Sequence, residues 1–496
     1  MTKYIVAIDQ STSGTKALLV DEQAQVVMKK TKAHEQYYPQ PGWVAHDPTE
    51  IYENVKELLN EVVNREVLAE KQVVGLAMTN QRETVLVWDK TTGEPIHHAI
   101  VWQCRRTATL CDALKQQGYE EKIFEKTGLT VDPYFSATKV KWILEQVPGA
   151  LEKARSGQLL LGTIDSWLIW KLTDGAVHAT DVTNASRTSL YNINTLGWDE
   201  EILDIMGIPK SMLPEVKSCN ALFGHIADEE IHAKGLPISG VIGDSQAALF
   251  GQKCFEPGMA KATYGTGTSV LMQTGELVRG GNGLVTSVAW GIDGKVSYAL
   301  EGIIHSTGDT MNWLIDQLEL FGDVGELEPL AAKLPDNEGV YLIPAFVGLG
   351  APYWDPHARA AIVGLTRSSG KAHIARAALE STAYQVKDAV TLIAQESGIT
   401  VKALRTDGGA TKNRFLMQFQ ADMLGADVRT SDLAELSAMG SVYLAGLGFG
   451  VWESLDRIRT LNEDSQVYSA QLAEDLRDSW YEGWQKAVNG IISSQK

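Results

Sequence analysis

Two stretches far apart in the chain share one pattern: an apolar strand, a turn of small and hydroxyl residues, then a second apolar strand. In the first, Tyr4-Ile-Val-Ala-Ile8 breaks at Asp9-Gln-Ser-Thr-Ser-Gly-Thr-Lys16 and returns as Ala17-Leu-Leu-Val20. In the second, residues 258–264 break at Gly265-Thr-Gly-Thr268 and return as Ser269-Val-Leu-Met272. Short apolar runs bounded by Gly, Ser and Thr read as paired strands, and their recurrence reads as an internal duplication. A chain of 496 residues exceeds what one hydrophobic core usually spans, so two or more domains are expected. The first turn admits two readings. It is an ordinary polar turn, or it holds a Mg²⁺-bound phosphate, with Asp9 reaching the metal's water shell and hydroxyls and N–H groups lining the anion. Walker and dinucleotide fingerprints are both absent.

Between the hairpins, the apolar Ile238-Ser-Gly-Val-Ile242 runs into Gly243-Asp244-Ser245-Gln246 and a helical stretch. Asp244 is placed as the helix N-cap, and is equally placed to take a proton from a substrate hydroxyl. Upstream, Val73-Val-Gly-Leu-Ala-Met78 reads as a buried strand ending at Thr79-Asn-Gln-Arg-Glu83. Polar residues massed at a strand's C-terminal end are where α/β folds put ligands. Arg82 and Glu83 form a surface ion pair, or they grip the hydroxyls of a small polyol, Arg donating and Glu accepting.

Asp47-Pro-Thr-Glu50 starts a helix whose stripe of Ile51, Val55, Leu58, Leu59 and Val62 faces a core. Trp142 and Ile143 read as core, and Tyr134 as a loop residue lining a pocket. Further helices are expected near residues 310–320 and 374–396, and residues 344–355, rich in Gly and Pro, as irregular chain. At residues 407–413 a strand breaks at Gly408-Gly409, where a flat ligand can approach the backbone. Acidic residues outnumber basic ones by 62 to 44, a formal charge of −18, which argues against nucleic-acid and membrane-surface partners. The N-terminus lacks the pattern of a secretion signal, and four cysteines without CxxC spacing point to a reduced, cytoplasmic setting.

The set IDQSTSGTK, TNQRET, DPYFSATKVKW, GDSQAALFG, YGTGT, GLTRSSGKAHIARAALE and DGGATKN, in this order, resembles the FGGY carbohydrate kinases over essentially the whole chain. Within the family, TNQRET, AIVWQCRRT and YGTG resemble the glycerol kinase branch. The resemblance implies two ribonuclease H-like domains of the actin and hexokinase ATPase type around an interdomain cleft. Residues 1–250 would carry the polyol pocket, the first phosphate hairpin and the base, and residues 251–496 the second hairpin and the adenosine site. Carried over by motif, Asp9 would sit at Mg²⁺ through water, and Thr12, Ser13, Gly14 and Lys16 near the phosphate being transferred. Thr266 and Gly267 would hold phosphate, and Gly308, Asn312, Gly409 and Asn413 would surround the nucleoside of ATP. Arg82, Glu83, Trp102, Tyr134, Asp244 and Ser245 would form the acceptor pocket, with Asp244 as general base.

Three motifs depart from the glycerol kinase pattern. Ser11 stands for a Gly, with Gly14 where a hydroxyl is usual; Ser245 stands for a Gln; Ser269 stands for an aromatic. The last two imply a wider, more polar pocket, so beside glycerol the alternatives are a longer polyol or ketose, such as a tetritol or pentulose, or a nucleotide-binding paralogue without turnover. The resemblance also implies a homo-oligomer, a dimer or tetramer, and it raises His232 as a site for a phosphotransferase-system regulator.

Overall fold

Runs such as Ile5-Val-Ala-Ile8 and Leu76-Ala-Met78 are apolar on successive residues, so both faces of the strand must be dry, as in a parallel sheet covered on both sides. The computed structural model describes residues 2–493 except 351, 354, 356, 432, 434 and 462–464. All seven side chains of those two runs are buried. The chain forms two compact units. One comprises Met1–Lys253, Thr286–Tyr298 and Glu435–Glu463, the other Cys254–Val285, Ala299–Ala434 and Asp464–Lys496.

The first unit is organised by a six-stranded sheet. Its spatial order is Gly224–His225, Pro237–Gly243, Gln72–Asn80, Lys3–Gln10, Gly14–Asp21 and Val26–Ala33. Lys3–Gln10 and Gly14–Asp21 form the expected hairpin, but the turn is shorter than the sequence implies. Pairing continues through Asp9 with Lys16 and Gln10 with Thr15, leaving only residues 11–14 as the turn between them. The three central strands are parallel, and their register is decisive: Gln10 lies beside Asn80, and Asn80 beside Gly243. Three strands therefore finish level, and the residues that follow them share one edge.

Helix Pro48–Val62 starts as read: the Asp47 side chain accepts from the Thr49 N–H at 2.8 Å, and Ile51, Val55, Leu58, Leu59 and Val62 are buried against the sheet. Helix Asp244–Gly251 corrects the capping expectation. Its N-cap is Gly243, and Asp244 is the first helical residue, its carboxylate accepting from the adjacent Ser245 N–H at 2.6 Å. Held that way, the carboxylate does not fold back over the helix end. Behind this helix lies helix Leu436–Gly448, far along the chain. The two approach so closely that a Cβ at Gly440 would run into the carbonyl of Ala247, and one at Gly251 into that of Leu436. Ile143 is fully buried as read, and Trp142, half-buried, packs against the same core with its ring edge-on to Trp43 and under the Arg106 guanidinium.

The second unit repeats the arrangement. Strands Thr268–Gly275, Met259–Tyr264, Ala403–Gly408 and Val428–Ser431 lie in that order, with an antiparallel hairpin followed by parallel neighbours. The duplication read from the Gly/Thr turns is thus a duplication of topology. The two expected helices are longer or shifted, at Gly308–Asp316 and Lys371–Ser397. The irregular stretch 344–355 follows strand Tyr341–Ile343, and its residues 351 and 354 lie outside the described residues.

Candidate active site

In the first unit the level strand ends gather Asp9, Arg82, Glu83 and Asp244. Asp9 is buried, and desolvation pushes its carboxyl up to about 6, against the pull of Lys16 and with a further push from the charge of Asp244. Lys16, on the strand opposite, stands 3.7 Å from the Asp9 carboxylate and donates to Glu435 at 2.7 Å. Burial opposes the charge of Lys16, but the two carboxylates outweigh it and raise its pKa. Lys29 reaches the other oxygen of Glu435, so two ammonium groups share one buried carboxylate. Ser11 closes the hairpin tip, its N–H and hydroxyl both donating to the Gly14 carbonyl at 2.8 and 2.9 Å. That is how a serine replaces the expected glycine without loosening the turn. Gly14 is buried with its Cα against the neighbouring strand, where a Cβ would stand 2.7 Å from the Lys32 carbonyl oxygen. Thr12 is half-buried and Ser13 exposed at the tip.

Arg82 is gripped on several sides. Its Nε lies 3.5 Å from Asp244 and 3.8 Å from Glu83, and its Nη1 donates to Gln246 at 3.2 Å. The surface-pair reading therefore fails: Arg82 and Glu83 are 5% and 1% exposed, while the Asp244 carboxylate keeps 36% of its side chain open. An acid that is accessible, flanked by a buried guanidinium, is placed to meet a substrate hydroxyl. The Trp102 indole N–H donates to the Thr12 hydroxyl at 2.9 Å, and its ring lies 5.4 Å from that of Tyr134. Trp102 and Tyr134 thus join the hairpin tip to the same edge. Ser245 is half-buried on the first turn of its helix; the neighbour that holds Arg82 is Gln246.

Among the described residues, no three His, Cys, Asp or Glu side chains cluster as a metal cage. A lone buried carboxylate fits an ion such as Mg²⁺, which keeps several waters and is otherwise held by phosphate oxygens.

In the second unit the turn 265–267 packs onto the start of helix Gly308–Asp316. The N–H groups of Thr307 and Asp309 donate to the Thr266 carbonyl and that of Gly308 to Gly265, at 2.9 to 3.2 Å. Any Cβ at Gly267 or Gly308 would meet backbone carbonyls, so only glycine allows this contact. Thr266, Gly267 and Gly308 are brought together, and Asn312 follows one turn along the helix. Strand pairing sets Gly408 beside Tyr264, which carries Gly409 to the same edge, and Asn413 caps helix Arg414–Leu424 by accepting from the Leu416 N–H. Asn413 therefore does structural work at a helix start, its side-chain oxygen taken. Ser269, where an aromatic was expected, donates to the buried Glu301 at 2.9 Å.

Sequence reasoning passed over one stretch, Thr180-Asp-Val-Thr-Asn-Ala-Ser-Arg-Thr188, every residue of which is buried. Its signal was a polar run with no apolar period, which a surface loop would share. Lys139 lies in the DPYFSATKVKW motif, which by itself assigns it no role. Its buried ammonium donates to the carbonyls of Pro133, Tyr134 and Phe135 at 2.6, 2.6 and 3.3 Å, pinning the Tyr134 loop, and burial pulls its pKa down to about 8.

Models of the FGGY family of carbohydrate kinases match residues 4–251 with the N-terminal domain and 260–449 with the C-terminal domain. The chain belongs to this family. A glycerol kinase from Desulfitobacterium hafniense is 51% identical over 99% of this chain and 100% of its own. Another from Alkaliphilus metalliredigens is 52% identical over 99% of each. The crystal structure of Plasmodium falciparum glycerol kinase with ADP is 39% identical, covers 99% of this chain and 98% of that one, and superposes with a TM-score of 0.95. A xylulose kinase from Lactobacillus acidophilus shares the fold at 22% identity, with 99% of each chain covered and a TM-score of 0.90. The architecture is thus the two-domain FGGY kinase fold, related to the actin and hexokinase ATPases, and the chain is a carbohydrate kinase.

Proposed function

We propose that this FGGY kinase transfers the terminal phosphoryl group of ATP to glycerol, yielding glycerol 3-phosphate and ADP. The observation that carries the reading is the level ending of three parallel strands, which sets Asp9, Arg82–Glu83 and Asp244 on one edge. Relatives named glycerol kinase at 51 and 52% identity favour glycerol over the longer acceptor suggested by Ser245 and Ser269. In this reading Arg82 donates to the polyol hydroxyls and Glu83 accepts from them, while the Trp102 and Tyr134 rings flank its carbons. Asp244 takes the hydroxyl proton as the oxygen–phosphorus bond forms and the bond to the leaving ADP breaks. Thr12, Ser13 and Lys16 steady the phosphate in line with the hydroxyl. Thr266, Gly267 and Gly308 present backbone to the remaining phosphates, and Asn312, Gly409 and Asn413 border the nucleoside. A bound Mg²⁺ neutralises phosphate charge, with Asp9 as its protein anchor through water.

A coupled assay for ADP release against glycerol, a tetritol and a pentulose tests the proposal. Glycerol-dependent release with the highest kcat/KM supports it; preference for a longer acceptor, or release without any acceptor, defeats it.

The buried carboxyl of Asp9 adds a pH signature. Its folded value of about 6 lies above the ordinary 3.8, so its contribution to stability is fully present below pH 3.8 and is lost as pH rises through 6. Activity runs the other way, because the ion needs the carboxylate. The free-enzyme kcat/KM is expected to fall below pH 6, and raising the Mg²⁺ concentration should move that inflection to lower pH. An inflection that ignores Mg²⁺ would detach Asp9 from the metal.

Family resemblance alone adds a cytoplasmic homo-oligomer, a dimer or tetramer, to this reading, together with phosphorylation of His232 by a phosphotransferase-system donor. His232 is exposed, and its N–H is tied to the Asn60 side chain at 2.7 Å, which leaves the imidazole facing solvent. No helix among the described residues is long and apolar enough to cross a membrane.

A further inference from the structure

The buried stretch 180–188 carries an arginine, Arg187, with no solvent contact at all, a costly placement that asks for a reason. Arg187 points its Nε at the Glu83 carboxylate, 2.5 Å away. Its guanidinium also lies 5.8 Å from the Tyr134 ring centre and 5.2 Å from that of Phe135. Glu83 and Tyr134, which lie on different segments, are both assigned to the acceptor pocket above. A planar, permanently charged group that meets a carboxylate with its edge and an aromatic ring with its face can set both at once, which a lysine cannot.

The rest of the stretch is anchored to the strand ends that carry the site. The Asp181 side chain accepts from the N–H groups of Thr183 and Asn184 at 2.7 and 3.0 Å, forming the cap of a one-turn helix. From that helix the Thr183 hydroxyl accepts from the N–H of Gly243, next to Asp244, at 2.9 Å. Asn184 exchanges a reciprocal pair of 3.0 Å hydrogen bonds with Asn80, two residues before Arg82. Glu83 itself holds a left-handed backbone, φ +60°, and its carbonyl accepts from the Ser136 hydroxyl at 2.8 Å. Its peptide is thus fixed from one side and its carboxylate from the other.

We propose that Arg187 is a positioning residue for the acceptor: through Glu83 and Tyr134 it sets the geometry of the polyol grip, while the nucleotide residues are untouched by it. The inference rests on the acceptor-pocket reading of Glu83. Steady-state kinetics with glycerol and ATP test it on Arg187→Met, Glu83→Gln and the double variant. Losing a charge-assisted hydrogen bond predicts that Arg187→Met raises the glycerol KM roughly 10- to 100-fold with the ATP KM unchanged. Because much of the Arg187 effect runs through Glu83, the double variant should lose clearly less than the product of the two single losses. Arg187→Lys should recover part of the loss by restoring the charge.

An unchanged glycerol KM in Arg187→Met, equal rises in both KM values, or losses that multiply in the double variant would overturn the assignment. Glu83→Gln separates the two levels: if it leaves the glycerol KM alone, the acceptor pocket itself is misplaced, whereas a raised KM there with a silent Arg187→Met defeats only the positioning role. Should Arg187→Met not fold, Arg187→Lys carries the test, a selective rise in glycerol KM supporting the proposal and its absence ending it.

Discussion

Asp244→Asn is expected to lower kcat by roughly 10²–10⁴-fold, the usual contribution of a positioned general base. The substitution is close to isosteric and the side chain is 36% exposed, so little packing is disturbed. Its one backbone contact, from the Ser245 N–H, is accepted as well by an amide oxygen as by a carboxylate. What disappears is the capacity to accept a proton, together with the charge facing Arg82 and Asp9. Nucleotide affinity, measured by calorimetry with ADP, should stay near that of the parent. The two readouts together isolate the chemical step: a variant that retains most of its kcat would remove Asp244 from the base role, whatever it does to binding.

Gly440→Ala should damage the same step from a distance. Residue 440 touches no substrate in this reading, yet its Cα rests on the backbone of the helix that begins with Asp244. A methyl group there has nowhere to go except into the Ala247 carbonyl, and a backbone atom cannot rotate aside as a side chain can. Either the helices part or one of them bends, at a cost of about 1–3 kcal/mol for overpacking. The Asp244 helix is the shorter of the two, 8 residues against 13, and the shift is expected to fall on it. Misplacing a catalytic group by about 1 Å costs on the order of 100-fold in rate. A fall in the thermal midpoint accompanied by a kcat reduction of that order is therefore expected. Parent-like kcat in a destabilised variant would show that the second helix alone absorbs the strain.

Much of the active-site edge was legible because its ingredients are local. A carboxylate after a dry strand, a Gly/Thr turn, and an Arg-Glu pair at a strand exit each announce themselves within a few residues. Where the reading slipped, a neighbour remote in sequence decided the matter. The hairpin turn shrank to four residues because Asp9 pairs with Lys16 and Gln10 with Thr15. Ser11, which looked like a departure in the phosphate turn, closes that turn through the Gly14 carbonyl. Gln246, given no role from the sequence, proved to be a partner of Arg82, set by which side of a helical turn faces the guanidinium.

By itself the amino-acid order determined the class of the fold, the existence of two hairpins and the identity of the residues carrying charge and hydroxyls. The hairpins follow from apolar period and turn chemistry, which act over a handful of positions, and the fold class from motifs that resemble those of the FGGY kinases. Tertiary structure alone decided that three strands end level, that Leu436–Gly448 backs the helix of Asp244, and that Arg187 and Glu435 are drawn inside to face Glu83 and Lys16. The physical reason is that burial makes a charge costly until a specific opposite charge meets it. Which residue of a 496-residue chain supplies that partner is a matter of packing, and packing has no signature along the sequence.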